Sequence, residues 1–267
     1  MNNVIVICTD NNYINHVKYN INNIREKHGE IDICITYEER FEVEIQKELS
    51  NFNVIFKSFK RKRNDLTSFG QKYHIFDVFF KKWEKILYID CDTVVFSNLN
   101  PLFNLLDNNN FVVDFENNSI RNFFSMWVNL IPLPDDNEVL INSKFKELDN
   151  ETYVDVNQNG FNSGILLFNS KIIESDTIDI LYTLSDKYKL INRHGQNGGQ
   201  EGDQPIINLL FAKYCHQVPN NMFCFWRGIN HNTVIGHFCR WEAPWINGSY
   251  NDSLGTSYAN YYNKKLN

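Results

Sequence analysis

The chain has 267 residues, 43% of them hydrophobic and 15% aromatic, which is enough to bury a sizeable core within one domain. Its formal net charge of -6 excludes a broad nucleic-acid-binding surface, and the short basic cluster at residues 57–63 reads as a solvated edge. No apolar run reaches membrane-spanning length. The six cysteines, Cys8, Cys34, Cys91, Cys215, Cys224 and Cys239, include no CxxC pair and read as free thiols of a reducing compartment.

The N-terminus lacks the charged region and cleavage site of a secretion signal, so a soluble, cytoplasmic protein is expected; Asn117, Asn247 and Asn251 would be glycosylation acceptors otherwise. Val4 to Cys8 is a continuous apolar run emptying into Thr9, Asp10, Asn11 and Asn12, the pattern of a buried strand meeting a loop. Residues 15–27 carry Val17, Ile21 and Ile24 at helical spacing. Then follow a predicted strand over 31–37, helix over 39–51, strand over 54–59, helix over 71–83 and strand over 86–89. This alternation predicts βαβ units, and hence an α/β fold with a mainly parallel sheet flanked by helices. Ligands of such sheets bind beyond the carboxyl ends of the strands, where Asp10 and Asp92 fall.

A strand over 111–113 ends at Asp114. Residues 117–160, with Pro132, Pro134, Asp135 and Asp136, read as a polar, irregular insertion or lid that carries the aromatics Phe123, Phe124, Trp127 and Tyr153. Strand pattern resumes over 161–168, followed by a helix over 175–190, a glycine-rich loop over 195–202 and a helix from Asp203 to Tyr214. No repeat or linker divides the chain, so one domain over 1–267 is expected.

The apolar run 85–89 closes on Asp90-Cys91-Asp92. An Asp-x-Asp at a strand's end aims two carboxylates at one point, an oxygen-rich corner suited to a hard divalent cation that bridges to substrate phosphates. Alone, the pair is equally readable as two solvated turn residues. It also fits the nucleophile motif of a haloacid-dehalogenase-type phosphatase, although that motif opens its domain and here several βα elements come first.

Residues 85–103, with Asp90-Cys91-Asp92-Thr93 and the downstream Leu99, Pro101, Leu102 and Phe103, resemble the metal-binding strand of the glycogenin-like retaining glycosyltransferases, family 8. Phe161-Asn162-Ser163-Gly164 is similar to a second family motif. Asp203-Gln204, ahead of an apolar helix containing Asn208, is similar to a third, and His237-Phe238 with Pro244-Trp245 to a fourth. They occur in the family's order and, with residues 9–13, span about residues 4–245.

The resemblance implies a single GT-A type, Rossmann-like domain binding a UDP-sugar at the carboxyl edge of its sheet. Residues 1–116 would be the nucleotide- and metal-binding half, 117–160 the insertion, and 161–267 the sugar- and acceptor-binding half. It implies Mn²⁺ as the usual metal, with Mg²⁺ second, and Asp90, Asp92 and His237 as ligands; imidazole suits Mn²⁺ better than Mg²⁺. Thr9, Asp10 and Tyr13 resemble the uridine loop, Arg63 and Lys72 would face the nucleotide, and Cys91 falls within the donor site. Asn162, Ser163 and Gly164 resemble the sugar pocket and Asp114 a sugar-hydroxyl ligand, while Asp203 and Gln204 would lie beneath the reactive face. On residue type alone, His237 also reads as a core histidine, and Asp10 and Asp203 as helix caps. Where the family has Gly and Lys after His-Phe, this chain has Arg240 and Ala243; Arg240 is expected to supply the missing charge from another place.

The implied activity is retaining transfer of a hexose, glucose or galactose, from a UDP-sugar to a hydroxyl of a carbohydrate or protein, with Phe123, Phe124, Trp127 and Tyr153 of the insertion available to stack on an acceptor sugar. A front-side, oxocarbenium-like route is expected, with Gln204 and Asp203 stabilising the cationic sugar. The alternative of a different class is a non-catalytic sugar-nucleotide-binding protein. No nucleic-acid or membrane partner is implied, a homodimer is compatible, and the Tyr-rich tail at 257–262 reads as a packing tail rather than a self-glycosylation acceptor. One geometric consequence is sharp: Asp90, Asp92 and His237 must converge on one cation position.

Overall fold

The computed structural model describes residues 2–60, 62, 68–130, 137–193, 202–225 and 230–238. Strand β1 (Asn3–Cys8) buries Val4, Ile5, Val6 and Ile7 completely. A run apolar on both faces fits only the middle of a sheet that is covered on both sides. Helix α1 (Ile14–His28) ends at Gly29, whose φ of 89° lets the chain turn out of the helix. Then come β2 (Asp32–Glu38), α2 (Glu42–Leu49), β3 (Ile55–Phe59) and β4 (Lys85–Ile89). β1 runs parallel to both β2 and β4, and β3 parallel to β2, as the βαβ pattern predicts.

The rest of the chain forms β5 (Thr93–Val95), α3 (Asn100–Leu105), β6 (Phe111–Val113), β7 (Phe115–Ser119), α4 (Ile120–Leu130) and α5 (Glu138–Asp149). It continues with β8 (Asn159–Phe161), β9 (Ile165–Asn169), α6 (Thr177–Tyr188), α7 (Asp203–Phe211), β10 (Cys215–Gln217), β11 (Phe223–Phe225) and β12 (Ile235–His237). The main sheet has seven strands in the order β10-β6-β9-β4-β1-β2-β3. Only β9 is reversed, lying antiparallel to both β4 and β6, so the sheet is mixed but mostly parallel. Its strands alternate between two cores: Val4 and Val6 join an aromatic layer with Phe76, Phe111, Phe168 and Phe211, while Ile5 and Ile7 join Val17, Ile21, Ile24 and Phe103. A small sheet, β11-β12-β5, and the antiparallel pair β7-β8 complete the strands.

Two segments differ from the sequence reading. The helix predicted over 71–83 is a pair of 3-10 helices, Ser68–Phe76 and Val78–Lys82. Extended Asp77, capping Phe79 N, interrupts it, and Tyr73, His74, Ile75 and Phe76 are all buried, which no single face of an α-helix could arrange. The segment 117–160, read as irregular, holds α4 and α5. Ile120, Phe124 and Val128 enter the aromatic core, and α4 lies against α7. Phe123 and Phe124 are buried and so are not available to stack on a sugar; Tyr153 remains exposed. No described helix is long and apolar enough to cross a membrane.

Candidate active site

The site begins where β4 ends. Asp90 N donates to the Gly164 carbonyl at 2.8 Å, one step beyond the β4–β9 ladder, and Thr93 Oγ1 donates to the Asp90 carbonyl at 2.8 Å to close a turn over Cys91 and Asp92. The two carboxylates are therefore presented by a turn and not by alternation along a strand. Two buried asparagines of α1 hold it from behind. Asn20 Nδ2 donates to the Cys91 carbonyl at 3.1 Å, while Asn23 brackets Val95, donating to its carbonyl at 2.9 Å and accepting from its N–H at 2.7 Å. Both were missed in the sequence, although polar residues beside the Val17, Ile21 and Ile24 stripe are a signal of a buried amide.

His237 reaches this turn because β12 pairs antiparallel with β5, placing it opposite Thr93. Its Nε2 lies 3.1 Å from Asp92 Oδ1 and 3.5 Å from Asp90 Oδ2, and one ligand atom from each of the three residues falls within 4.8 Å of the others. The expected convergence is present. Burial alone would lower the imidazole's pKa, but the Asp92 and Asp90 carboxylates outweigh it and raise it. His237 Nδ1 sits 2.8 Å from Asn162 Oδ1, which also accepts from Gly164 N at 2.9 Å. With Nδ1 donating to that oxygen, Nε2 is the nitrogen turned to the carboxylates. Two carboxylates and an imidazole braced through its other nitrogen are a donor set that fits a divalent cation. Gly164 is required here: a Cβ on it would lie 2.1 Å from His237 Cε1.

Lys72 is buried beside this centre. Its Nζ is 3.1 Å from Asp90, 2.9 Å from Asp203 Oδ2 and 3.3 Å from Ser163 Oγ, and although burial opposes its charge, Asp203 and Asp90 more than offset that and raise its pKa. Ser163 Oγ donates to Asp203 Oδ2 at 2.8 Å, and the Tyr88 hydroxyl donates to Asp90 Oδ1. The Cys91 thiol turns inward, donating to the Cys8 carbonyl at 3.0 Å, and burial pushes its pKa well up. Thr9 is buried, with its N–H on the Thr36 carbonyl at 2.9 Å. Asp10 accepts from Asn12 N at 2.8 Å, serving as the cap that residue type suggested, and the Tyr13 ring lies 5.4 Å from that of His16.

On the other side, Asp114 follows β6. Its carbonyl accepts from Asn162 N at 3.1 Å, its carboxylate accepts from Gln217 Nε2 at 2.8 Å, and burial raises its pKa. A small pocket lined by Asp114, Asn162, Ile165, Phe223, Cys224 and His237 lies there. Gln204, in the first turn of α7, accepts from Ser163 N at 3.2 Å and Asn162 Nδ2 at 3.4 Å. Glu116 joins this cluster unannounced by the sequence; the only signal was its i, i+2 relation to Asp114, which places the two on one face of an extended chain. Asn208 brackets Phe161, accepting from its N–H at 2.7 Å and donating to its carbonyl at 2.9 Å. Arg63, Arg240, Ala243, Pro244, Trp245, the Tyr-rich tail and all of the glycine-rich loop except Gly202 lie outside the described residues.

A mostly parallel sheet with this acidic turn at its carboxyl edge is the fold of the GT-A glycosyltransferases. Residues 4–247 match Glycosyl transferase family 8, and the chain belongs to that family. Among solved structures it is similar to the galactosyltransferase LgtC in complex with donor and acceptor sugar analogs, with 17% identity, 98% of this chain and 95% of that chain covered, and a TM-score of 0.60. The glycosyltransferase GlyE of Streptococcus pneumoniae gives 18% identity, 98% and 64% coverage and a TM-score of 0.60. Mouse xyloside xylosyltransferase 1 gives 15% identity, 88% and 96% coverage and a TM-score of 0.50. No curated protein matches the sequence. The family membership makes the chain a glycosyltransferase, with a nucleotide-sugar donor and an acceptor, and sets the phosphatase reading aside.

Proposed function

We propose that this glycosyltransferase moves a hexose, glucose or galactose, from a UDP-sugar to a hydroxyl of a carbohydrate or protein, with retention and with a divalent cation, Mn²⁺ before Mg²⁺, held by Asp90, Asp92 and His237. The observation that carries this reading is the meeting of those three ligand atoms from the turn after β4 and from β12, beside Lys72, Asp203 and Gln204. A bound cation supplies positive charge to the diphosphate as it leaves. Thr9, Asp10 and Tyr13 provide a loop at the end of β1 for the uracil and ribose. Lys72 holds Asp90 and Asp203 at fixed separation and contributes positive charge behind the leaving group.

Retention needs either a carboxylate nucleophile or front-side attack. Asp203 Oδ2 accepts from both Lys72 Nζ at 2.9 Å and Ser163 Oγ at 2.8 Å, so the carboxylate is fixed in place and its charge is paired with a cation, which weakens it as a nucleophile. This supports the front-side route, in which the Asp203 carboxylate and the Gln204 amide oxygen steady a cationic sugar while the acceptor hydroxyl enters on the face that the diphosphate leaves. Asp114, whose carbonyl accepts from Asn162 N beside the sugar pocket, is the residue we assign to a sugar hydroxyl. The free cysteines among the described residues, Cys8, Cys34, Cys91, Cys215 and Cys224, suit a cytoplasmic protein.

The test is slow hydrolysis of UDP-glucose and UDP-galactose without acceptor. Turnover that needs Mn²⁺ and disappears in Asp92→Ala and His237→Ala is expected; metal-independent turnover would overturn the metal assignment. A covalent sugar trapped on Asp203, seen by intact-protein mass spectrometry, would overturn the front-side route.

A further inference from the structure

Glu116 has no part in the reading above, yet it sits where the two sides of the site meet. It is the second residue of β7, and its Oε1 accepts from Asn162 Nδ2 at 3.2 Å and from Gln204 Nε2 at 3.2 Å. One carboxylate oxygen thus fixes the amino ends of two amides, and their oxygen ends follow. The Gln204 oxygen is left facing Ser163 N, while the Asn162 oxygen faces His237 Nδ1 and Gly164 N. An amide turned through half a revolution keeps its shape but exchanges donor for acceptor, so a side chain that fixes the orientation also fixes the chemistry.

The structure assigns Glu116 as a positioning residue that sets Asn162 and Gln204 in their working orientations, and through Asn162 keeps His237 Nε2 turned toward a cation at Asp90 and Asp92. Without Glu116, Asn162 can present its NH₂ to Nδ1. Nδ1 then faces a donor instead of an acceptor, and the ring loses the brace that holds Nε2 toward the two carboxylates. Gln204, freed at its amino end, can likewise turn its NH₂ toward the sugar, where a donor opposes a developing cation instead of stabilising it. The consequence differs from that of an ordinary buried carboxylate: the oxygen's reach matters, and its charge does not.

This inference rests on the metal reading proposed above, and the experiment separates the two. Mn²⁺ affinity, with UDP present, is measured by electron paramagnetic resonance of the free ion for the wild type and for His237→Ala, Glu116→Leu, Glu116→Asp and Glu116→Gln, with thermal melting as the folding control. Glu116→Leu has no acceptor and Glu116→Asp is one methylene short, so both are expected to bind Mn²⁺ about 10- to 100-fold more weakly and to lose kcat in UDP-sugar hydrolysis by more than any rise in KM. Glu116→Gln keeps an acceptor oxygen at full reach and is expected to hold Mn²⁺ within about threefold of wild type. Should the leucine variant not fold, the aspartate variant carries the test. Wild-type affinity in both Glu116→Leu and Glu116→Asp, alongside loss in His237→Ala, overturns the role of Glu116 and leaves the metal site standing. Weak binding by Glu116→Gln with normal binding by Glu116→Asp makes charge the cause and also overturns it. Equal Mn²⁺ behaviour of wild type and His237→Ala overturns the metal site, and this inference with it.

Discussion

The two halves of the main sheet position the site by different means. In β1, β2, β3 and β4 the strands are parallel, and β1 and β4 are buried on both faces. Backbone ladders and apolar packing bring the loop after β1 and the turn after β4 to one edge, and Asn20 and Asn23 of α1 only brace the turn from behind. In the half built from β6, β9 and β10, the paired stretches are short and β9 runs against its neighbours. Side-chain amides take over much of the positioning there: Asn208 brackets Phe161, Gln217 accepts from Phe115 N at 2.8 Å and donates to Asp114, and Asn162 and Gln204 hold each other through Glu116. A parallel core tolerates exchange among apolar residues of similar volume. An amide network does not tolerate the loss of a member, because each deletion strands a buried donor or acceptor.

Substitutions can break or sharpen that contrast. The largest effect is expected where the halves meet: Asp92→Ala and His237→Ala should each lower Mn²⁺-dependent UDP-sugar hydrolysis by about 10² to 10³-fold, measured as kcat/KM. Asn208→Leu should follow. It leaves the Phe161 N–H and carbonyl without their buried partner, and denaturant unfolding is expected to show a loss of about 2–5 kcal/mol.

A pH effect of intermediate size belongs to His74. It stacks on Phe59 with ring centroids 4.0 Å apart and shares a 3.0 Å hydrogen bond with the Tyr182 hydroxyl, and burial lowers its pKa from 6.5 to about 4. Between those values the unfolded chain takes up a proton that the folded chain refuses. Stability should therefore fall as pH drops from about 6.5 to about 4, by roughly 3 kcal/mol in all. Denaturant midpoints followed against pH should lose that slope in His74→Phe. The smallest effect is expected in the parallel half, where Ile5→Val should cost only about 0.5–1.5 kcal/mol and leave kcat unchanged. A larger penalty there than for Asn208→Leu would erase the distinction between the halves.

The same contrast explains what could be read before the structure was known. β1 and β4 are legible because a strand buried on both faces writes itself as an unbroken apolar run, and Asp90, Asp92 and His237 are legible because the family motifs are short and contiguous. The residues over 71–83 misled because burial on every side mimics helical spacing. In α4, Arg121, Asn122 and Ser125 punctuate the buried Ile120, Phe123 and Phe124, so a core helix looks like a polar insertion. Asn20, Asn23 and Glu116 were not legible as site residues. Each acts through a partner remote in sequence, and nothing next to an asparagine or a glutamate reveals which distant carbonyl or amide it will meet.

The pairing of β12 with β5 also has a consequence for biosynthesis. Asp90 and Asp92 leave the ribosome long before His237, and the strand that carries His237 can dock only after β5 has been waiting through most of translation. Until then the acidic turn lacks the imidazole that completes the proposed cation site. On the metal reading proposed above, acquisition of the cation would report that the last described strand has found its place.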